Sequence, residues 1–132
     1  MKLIHTCIRV VDIDASMRFY EALGFERRGK LQFKTAYNIY MGLPGDGDTL
    51  ELTVNEGRTE PYDIGDGYNH FAITVEDIHA TVAKLAEQGI EPEKPPYHPG
   101  DREELGPICF VTDPDGYRIE LIHGSFATPQ DD

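Results

Sequence analysis

Two histidines and two glutamates stand out because they recur as a set. The segment IHTCIRVVDIDASMRFYEALGFE (4–26) matches NHFAITVEDIHATVAKLAEQGIE (69–91), which aligns His5 with His70, Asp12 with Asp77 and Gly24 with Gly89. TLELTV (49–54) matches RIELIH (118–123), which aligns Glu51 with Glu120. Taken singly, a strand histidine is as readily a hydrogen-bonded structural residue, and a sheet glutamate a solvated one. Recurrence of the pair is what argues for a site. Two imidazoles and two carboxylates converging in a cleft would hold a first-row transition metal such as Ni, Zn, Co, Fe or Mn. Four protein ligands leave two adjacent positions of an octahedron for water or substrate, the arrangement of a catalytic rather than a structural metal.

The elements that must carry these residues also repeat. Residues 3–11 alternate as a strand, with Ile4, Ile8 and Val10 on one face and His5, Cys7 and Arg9 on the other. The spacing of Ile13, Met17, Tyr20 and Leu23 predicts a helix over 13–23, stopped by Gly24. Strands are expected at 25–33, 36–42 and 48–54, with PGDGD (44–48) as a turn. The second copy gives a strand at 68–75, a helix at 77–88 stopped by Gly89, and shorter strands, the last at 117–123 after the turn DPDG (113–116). The expected fold class is therefore α+β, two tandem βαβββ modules. The first spans 1–57 and the second 68–124 of a single domain (1–132), followed by a tail at 125–132. Residues 55–67 read as a polar linker and 93–107 as a long Pro-rich loop. Leu50, Leu52 and Val54 alternate with Glu51, Thr53 and Asn55, and Ile119 and Leu121 flank Glu120. This parity turns both His–Glu pairs away from the helix-packed core, into the concave side of each sheet if the sheets curl.

Composition removes several alternatives. The 132 residues carry 24 acidic against 12 Lys and Arg side chains, a net charge of −12. Such a field repels phosphate backbones and anionic membrane surfaces, so neither nucleic acid nor membrane is expected as a partner. No apolar run approaches the roughly 20 residues of a membrane span, and the start lacks a secretory pattern, so a cytoplasmic protein is expected. Cys7 and Cys109 make neither a disulfide framework nor a thiolate zinc finger. His79, His98 and His123 are expected at the surface.

The residues now resemble a known family. LIHTCIRVVDIDASMRFYEALGF, LELTVN and DPDGYRIELI are similar to the opening, middle and closing signatures of glyoxalase I (lactoylglutathione lyase) of the compact bacterial type, in the vicinal oxygen chelate superfamily, over Met1 to about His123. The resemblance implies curved mixed sheets and metal ligands His5, Glu51, His70 and Glu120. It implies nickel or cobalt rather than zinc, and Arg9 and Asn55 as glutathione-binding residues. It also implies the reaction: the methylglyoxal–glutathione hemithioacetal becomes S-lactoylglutathione by proton transfer through an enediolate, with Glu120 as principal base and Glu51 as its pseudo-symmetric partner. Compact relatives are homodimers in which His5 and Glu51 of one subunit would share a site with His70 and Glu120 of the other. The chain departs from the family pattern at Glu56, at Asn69 and across the acidic loop GDREELGP (100–107), which leaves another thiol or another vicinal-oxygen substrate open. Competing readings are an epimerase or dioxygenase of the same superfamily, or a metal-free protein that sequesters a small molecule.

Overall fold

The computed structural model describes residues 1–131. It divides into two compact units, Met1–Ile64 and Gly65–Asp132. The first runs β1 (Thr6–Arg9), α1 (Ile13–Ala22), β2 (Glu26–Gln32), β3 (Ala36–Gly42) and β4 (Leu50–Asn55). Its sheet has the order β1-β4-β3-β2, parallel between β1 and β4 and antiparallel elsewhere. The second unit runs β5 (Phe71–Val75), α2 (Ile78–Glu87), β6 (Ile108–Thr112) and β7 (Arg118–His123). Its sheet has the order β5-β7-β6, with β5 and β7 parallel. Among the described residues two α-helices, a short 3-10 helix at Pro99–Asp101 and two mixed sheets make an α+β fold.

Both helices start and stop by the same devices. The Asp12 side chain accepts from the Ala15 N–H at 3.1 Å, and Asp77 accepts from those of His79 and Ala80 at 3.1 and 3.2 Å. Each satisfies donors that a first helical turn leaves orphaned. At the other end Gly24 and Gly89 take φ of +104° and +78°, which glycine adopts without steric cost. The Phe25 N–H then bonds back to the Tyr20 carbonyl and the Ile90 N–H to that of Leu85, both at 3.0 Å, closing a Schellman turn in each unit.

The alternation along the strands becomes two buried faces. Ile8, Val10, Ile39, Met41, Leu50, Leu52 and Val54 are buried in the first unit with Phe19, Tyr20, Leu23 and Phe25. Tyr20 meets Phe19 and Phe25 edge-on, with ring centroids 5.0 and 5.7 Å apart. In the second unit Ile73, Ile78, Leu85, Ile108, Val111, Ile119 and Leu121 are buried. Full burial of side chains such as Leu52 and Leu121 stabilises each unit by about 1.5–3 kcal/mol apiece.

Two expectations need correction. The first strand begins at Thr6 rather than residue 3, because its ladder starts where Thr6 pairs with Leu50. Ile4 therefore stays 65% exposed instead of joining the core face. The second unit also has one strand fewer than the first. Where β2 has its counterpart, the prolines of EKPPYHPG (93–100) remove ladder donors, and only an isolated Tyr97–Ile108 bridge forms. Residues 125–131 carry no helix or strand, and Asp132 of the expected tail lies outside the described residues.

Candidate functional site

Both histidines sit one residue ahead of a parallel strand. His5 precedes β1 and His70 precedes β5, and each strand pairs with the strand that carries a glutamate. His5 Nε2 lies 3.5 Å from Glu51 Oε2, and His70 Nε2 lies 3.5 Å from Glu120 Oε1. The carboxylates are similarly sheltered, 12% exposed for Glu51 and 16% for Glu120. Parity accounts for this: Leu50 and Leu52, and Ile119 and Leu121, turn into the core while the glutamate between them faces the other way.

Each unit thus brings one imidazole and one carboxylate together. Among the described residues no three His, Cys, Asp or Glu side chains are grouped to hold a metal ion. The pair itself fits a cation. Two donors about 2.1 Å from one ion are separated by about 3.0 Å at a right angle and about 3.4 Å at the tetrahedral angle. The second imidazole is also oriented for ligation. His70 Nδ1 bonds to Asn69 Oδ1, which fixes the ring with Nε2 facing Glu120. Imidazole and carboxylate without thiolate fit a first-row divalent cation.

The surroundings of the two carboxylates differ. Glu51 has Cys7 and Tyr40 as its direct strand partners. Burial pushes the Glu51 carboxyl up, but hydrogen bonds from the Tyr40 hydroxyl and Cys7 thiol, with the nearby His5, outweigh it and hold the group below its ordinary value. Donation to Glu51 in turn raises the Tyr40 phenol. The matching partners of Glu120 are Ala72 and Phe110, which have no proton to donate. The aromatic position is nonetheless kept: His5 meets Tyr40 edge-on at 6.0 Å, and His70 meets Phe110 at 5.1 Å.

A cavity of about 620 Å³ opens beside His5, lined by Lys2–Ile4, Tyr40 and Asp46–Thr49. Its wall is pinned by Arg28, which donates to the carbonyls of Leu43 and Asp46 at 2.8 and 3.1 Å and to Asp48 Oδ1 at 3.0 Å. Arg9 ends β1, exposed, on the same side of the strand as Cys7. Asn55 ends β4, and its amide donates to the Tyr62 hydroxyl at 2.9 Å.

Of the other histidines, His98 and His79 are exposed as expected, but His123 is only partly so. His123 is half-buried, and its Nδ1 accepts from the Ile78 N–H at 3.1 Å, capping the start of α2. Tyr40, Asn69 and Arg118 were missed as supporting residues. Asn69 differs from its family position, and that departure was the available signal. Arg118 Nη1 reaches Asn69 Oδ1 at 3.4 Å and grips Glu93 through Nε and Nη2 at 2.6 and 2.9 Å.

Comparison with known proteins extends the likeness to the whole chain. The family model described as Glyoxalase/Bleomycin resistance protein/Dioxygenase superfamily matches residues 2–121. A Synechocystis protein named "Probable lactoylglutathione lyase" is 41% identical over 132 residues, covering 95% of this chain and 97% of that protein. The "Lactoylglutathione lyase" of Haemophilus influenzae is 36% identical, covering 92% of each. The solved trypanothione-dependent glyoxalase I of Leishmania major superposes with a TM-score of 0.78 at 34% identity, covering 93% of this chain and 86% of that one.

Proposed function

Since the chain belongs to the glyoxalase/bleomycin resistance protein/dioxygenase superfamily, we infer that it is a lactoylglutathione lyase, converting the methylglyoxal–glutathione hemithioacetal to S-lactoylglutathione. The observation that carries this reading is the recurrence of one His–Glu pair, with the same 3.5 Å separation, in both units. Relatives matched over nearly their full length are named for this activity.

We propose that His5, Glu51, His70 and Glu120 together hold one divalent cation, with nickel or cobalt favoured and zinc a further candidate. The cation, when bound, supplies Lewis-acid stabilisation of negative charge developing on the substrate's two vicinal oxygens. The chain's own residues move the proton. A carboxylate takes the hydrogen from C1 as a proton and returns it to C2, while the proton on the C1 oxygen passes to the C2 oxygen. The C1–OH becomes the thioester carbonyl, the C2 carbonyl becomes the alcohol, and the reaction is an isomerisation with no net gain or loss of atoms. Glu120 takes the role of principal base, with Glu51 opposite. Shelter from water raises carboxylate basicity in such a site once substrate encloses it. Arg9 supplies a positive charge for the anionic tripeptide, and Asn55 a polar contact beside it.

The working form we propose is a homodimer with two shared sites, His5 and Glu51 coming from one subunit and His70 and Glu120 from the other. The exposed apolar side chains Leu3, Ile4, Leu31 and Phe33 support that assembly, since a second copy would cover such groups. The two repeats then act as one domain. Among the described residues no helix is long and apolar enough to cross a membrane. A cytoplasmic role in methylglyoxal detoxification, without nucleic-acid or membrane partners, completes the proposal. The test is metal reconstitution followed by assay with methylglyoxal and glutathione. Formation of S-lactoylglutathione is expected with nickel or cobalt above zinc, and no turnover with any of them would reject the function.

A further inference from the structure

We propose that Tyr40 is a positioning residue for Glu51, the end of a hydrogen-bonded row that holds this carboxylate in one orientation toward a divalent cation. The row has a single direction. The Thr53 hydroxyl donates to Asn38 Oδ1 at 2.8 Å. The Asn38 amide donates to the Tyr40 oxygen at 3.4 Å. With its lone pair so engaged, the Tyr40 hydroxyl has its own proton free for Glu51, the residue directly opposite it across β3 and β4. Cys7 flanks the other side, the direct partner of Glu51 across β1 and β4, with its Sγ 3.2 Å from Thr53 Oγ1. Donors aligned in this way polarise one another, and groups behind a ligand fix its rotamer.

The second unit provides the contrast. Strand register places Phe110 where the first unit has Tyr40, Ala72 where it has Cys7, Ile122 where it has Thr53, and Ile108 where it has Asn38. Every member of the row is apolar in the other copy. Support there goes to the imidazole instead, through Asn69, Arg118 and Glu93. The duplicated pairs are therefore braced at opposite ends: the carboxylate in the first unit, the histidine in the second. Glu51 is the anchored carboxylate of the set.

The inference rests on the reading of Glu51 as a metal ligand, and the experiment separates the two. Metal-free full-length protein is titrated with Ni²⁺ or Zn²⁺ against a competing chelator, and the visible spectrum of the Co²⁺ form is recorded. Tyr40→Phe is expected to weaken cation affinity by about 10-fold. It should also change the Co²⁺ spectrum while leaving the thermal unfolding of the metal-free protein in place. Thr53→Val breaks the row at its far end and is expected to weaken affinity about threefold, with Thr53→Ser restoring it; this arm stands if Tyr40→Phe does not fold. Wild-type affinity and an unaltered Co²⁺ spectrum in Tyr40→Phe, or in Thr53→Val, would overturn the role of the row. A wild-type protein that takes up no cation would overturn the metal reading itself.

Discussion

His70 Nε2 stands 3.5 Å from Glu120 Oε1, and the residues flanking that carboxylate across the sheet, Ala72 and Phe110, offer it no hydrogen-bond donor. No donor across the sheet competes for that carboxylate, which supports the base role proposed for Glu120. Glu120→Gln is expected to lower turnover by about 100-fold or more, the scale of general-base contributions. Glu51→Gln should chiefly weaken cation retention. Steady-state rates and metal content measured on both variants check the pair, and unchanged activity in both would reject the site.

Arg9 ends β1 exposed, on the side of the strand that faces away from the buried Ile8 and Val10. In the anion-binding role proposed for it, Arg9 would contribute equally to ground and transition states. Arg9→Ala is therefore expected to raise KM about 10-fold with kcat nearly unchanged. A fall in kcat at constant KM would contradict the assignment.

The two thiols should separate cleanly by reactivity. Cys109 is fully buried, and burial pushes its thiol up to about 11, so it has almost no thiolate at neutral pH. Cys7 is exposed, with its thiol raised more modestly by burial. One thiol should react with a disulfide reagent at pH 8 in the native protein, and two after denaturation. Two native thiols reacting at the same rate would argue against the packing of β6.

The helix caps make a stability prediction that the repeat duplicates. Asp12→Ala and Asp77→Ala should each destabilise by about 1 kcal/mol in chemical denaturation. Asp77 bonds two N–H groups and Asp12 one, so the Asp77 variant is expected to lose more.

Glu93 gives a pH signature. Its carboxyl is held below the ordinary 4.5, first by the hydrogen bonds from Arg118. A depressed carboxyl stabilises the folded state above its unfolded titration and loses that contribution as pH falls through the folded value. The pair is partly solvated, so Glu93→Gln should cost less than about 1 kcal/mol at pH 7. The difference from wild type should shrink toward zero as the solution is acidified below pH 4.5, read by urea unfolding across that range. A difference that grows on acidification would contradict the pairing.

Much of the fold was legible because repeats and periodicity report burial directly. The alternation around Glu51 located the buried leucines, and Gly24 and Gly89 marked both helix ends. Pattern alone did not find where β1 begins, because a ladder starts only where a partner strand is present, and that is a tertiary fact. It likewise gave the second unit a strand that its prolines prevent. The His–Glu pairs were readable as a repeated set. Tyr40 was not, because its importance comes from lying opposite Glu51 across β3 and β4, a relationship without sequence proximity. His123 escaped for the same reason: its partner, the Ile78 N–H, is distant along the chain.

Lys2, Leu3 and Ile4 form part of the cavity wall beside His5. An affinity tag fused ahead of Met1 would hang its linker at that opening, and a tag rich in histidine would bring competing imidazoles to the proposed cation site. Metal loading and rates should therefore be compared only on protein from which any such tag has been removed.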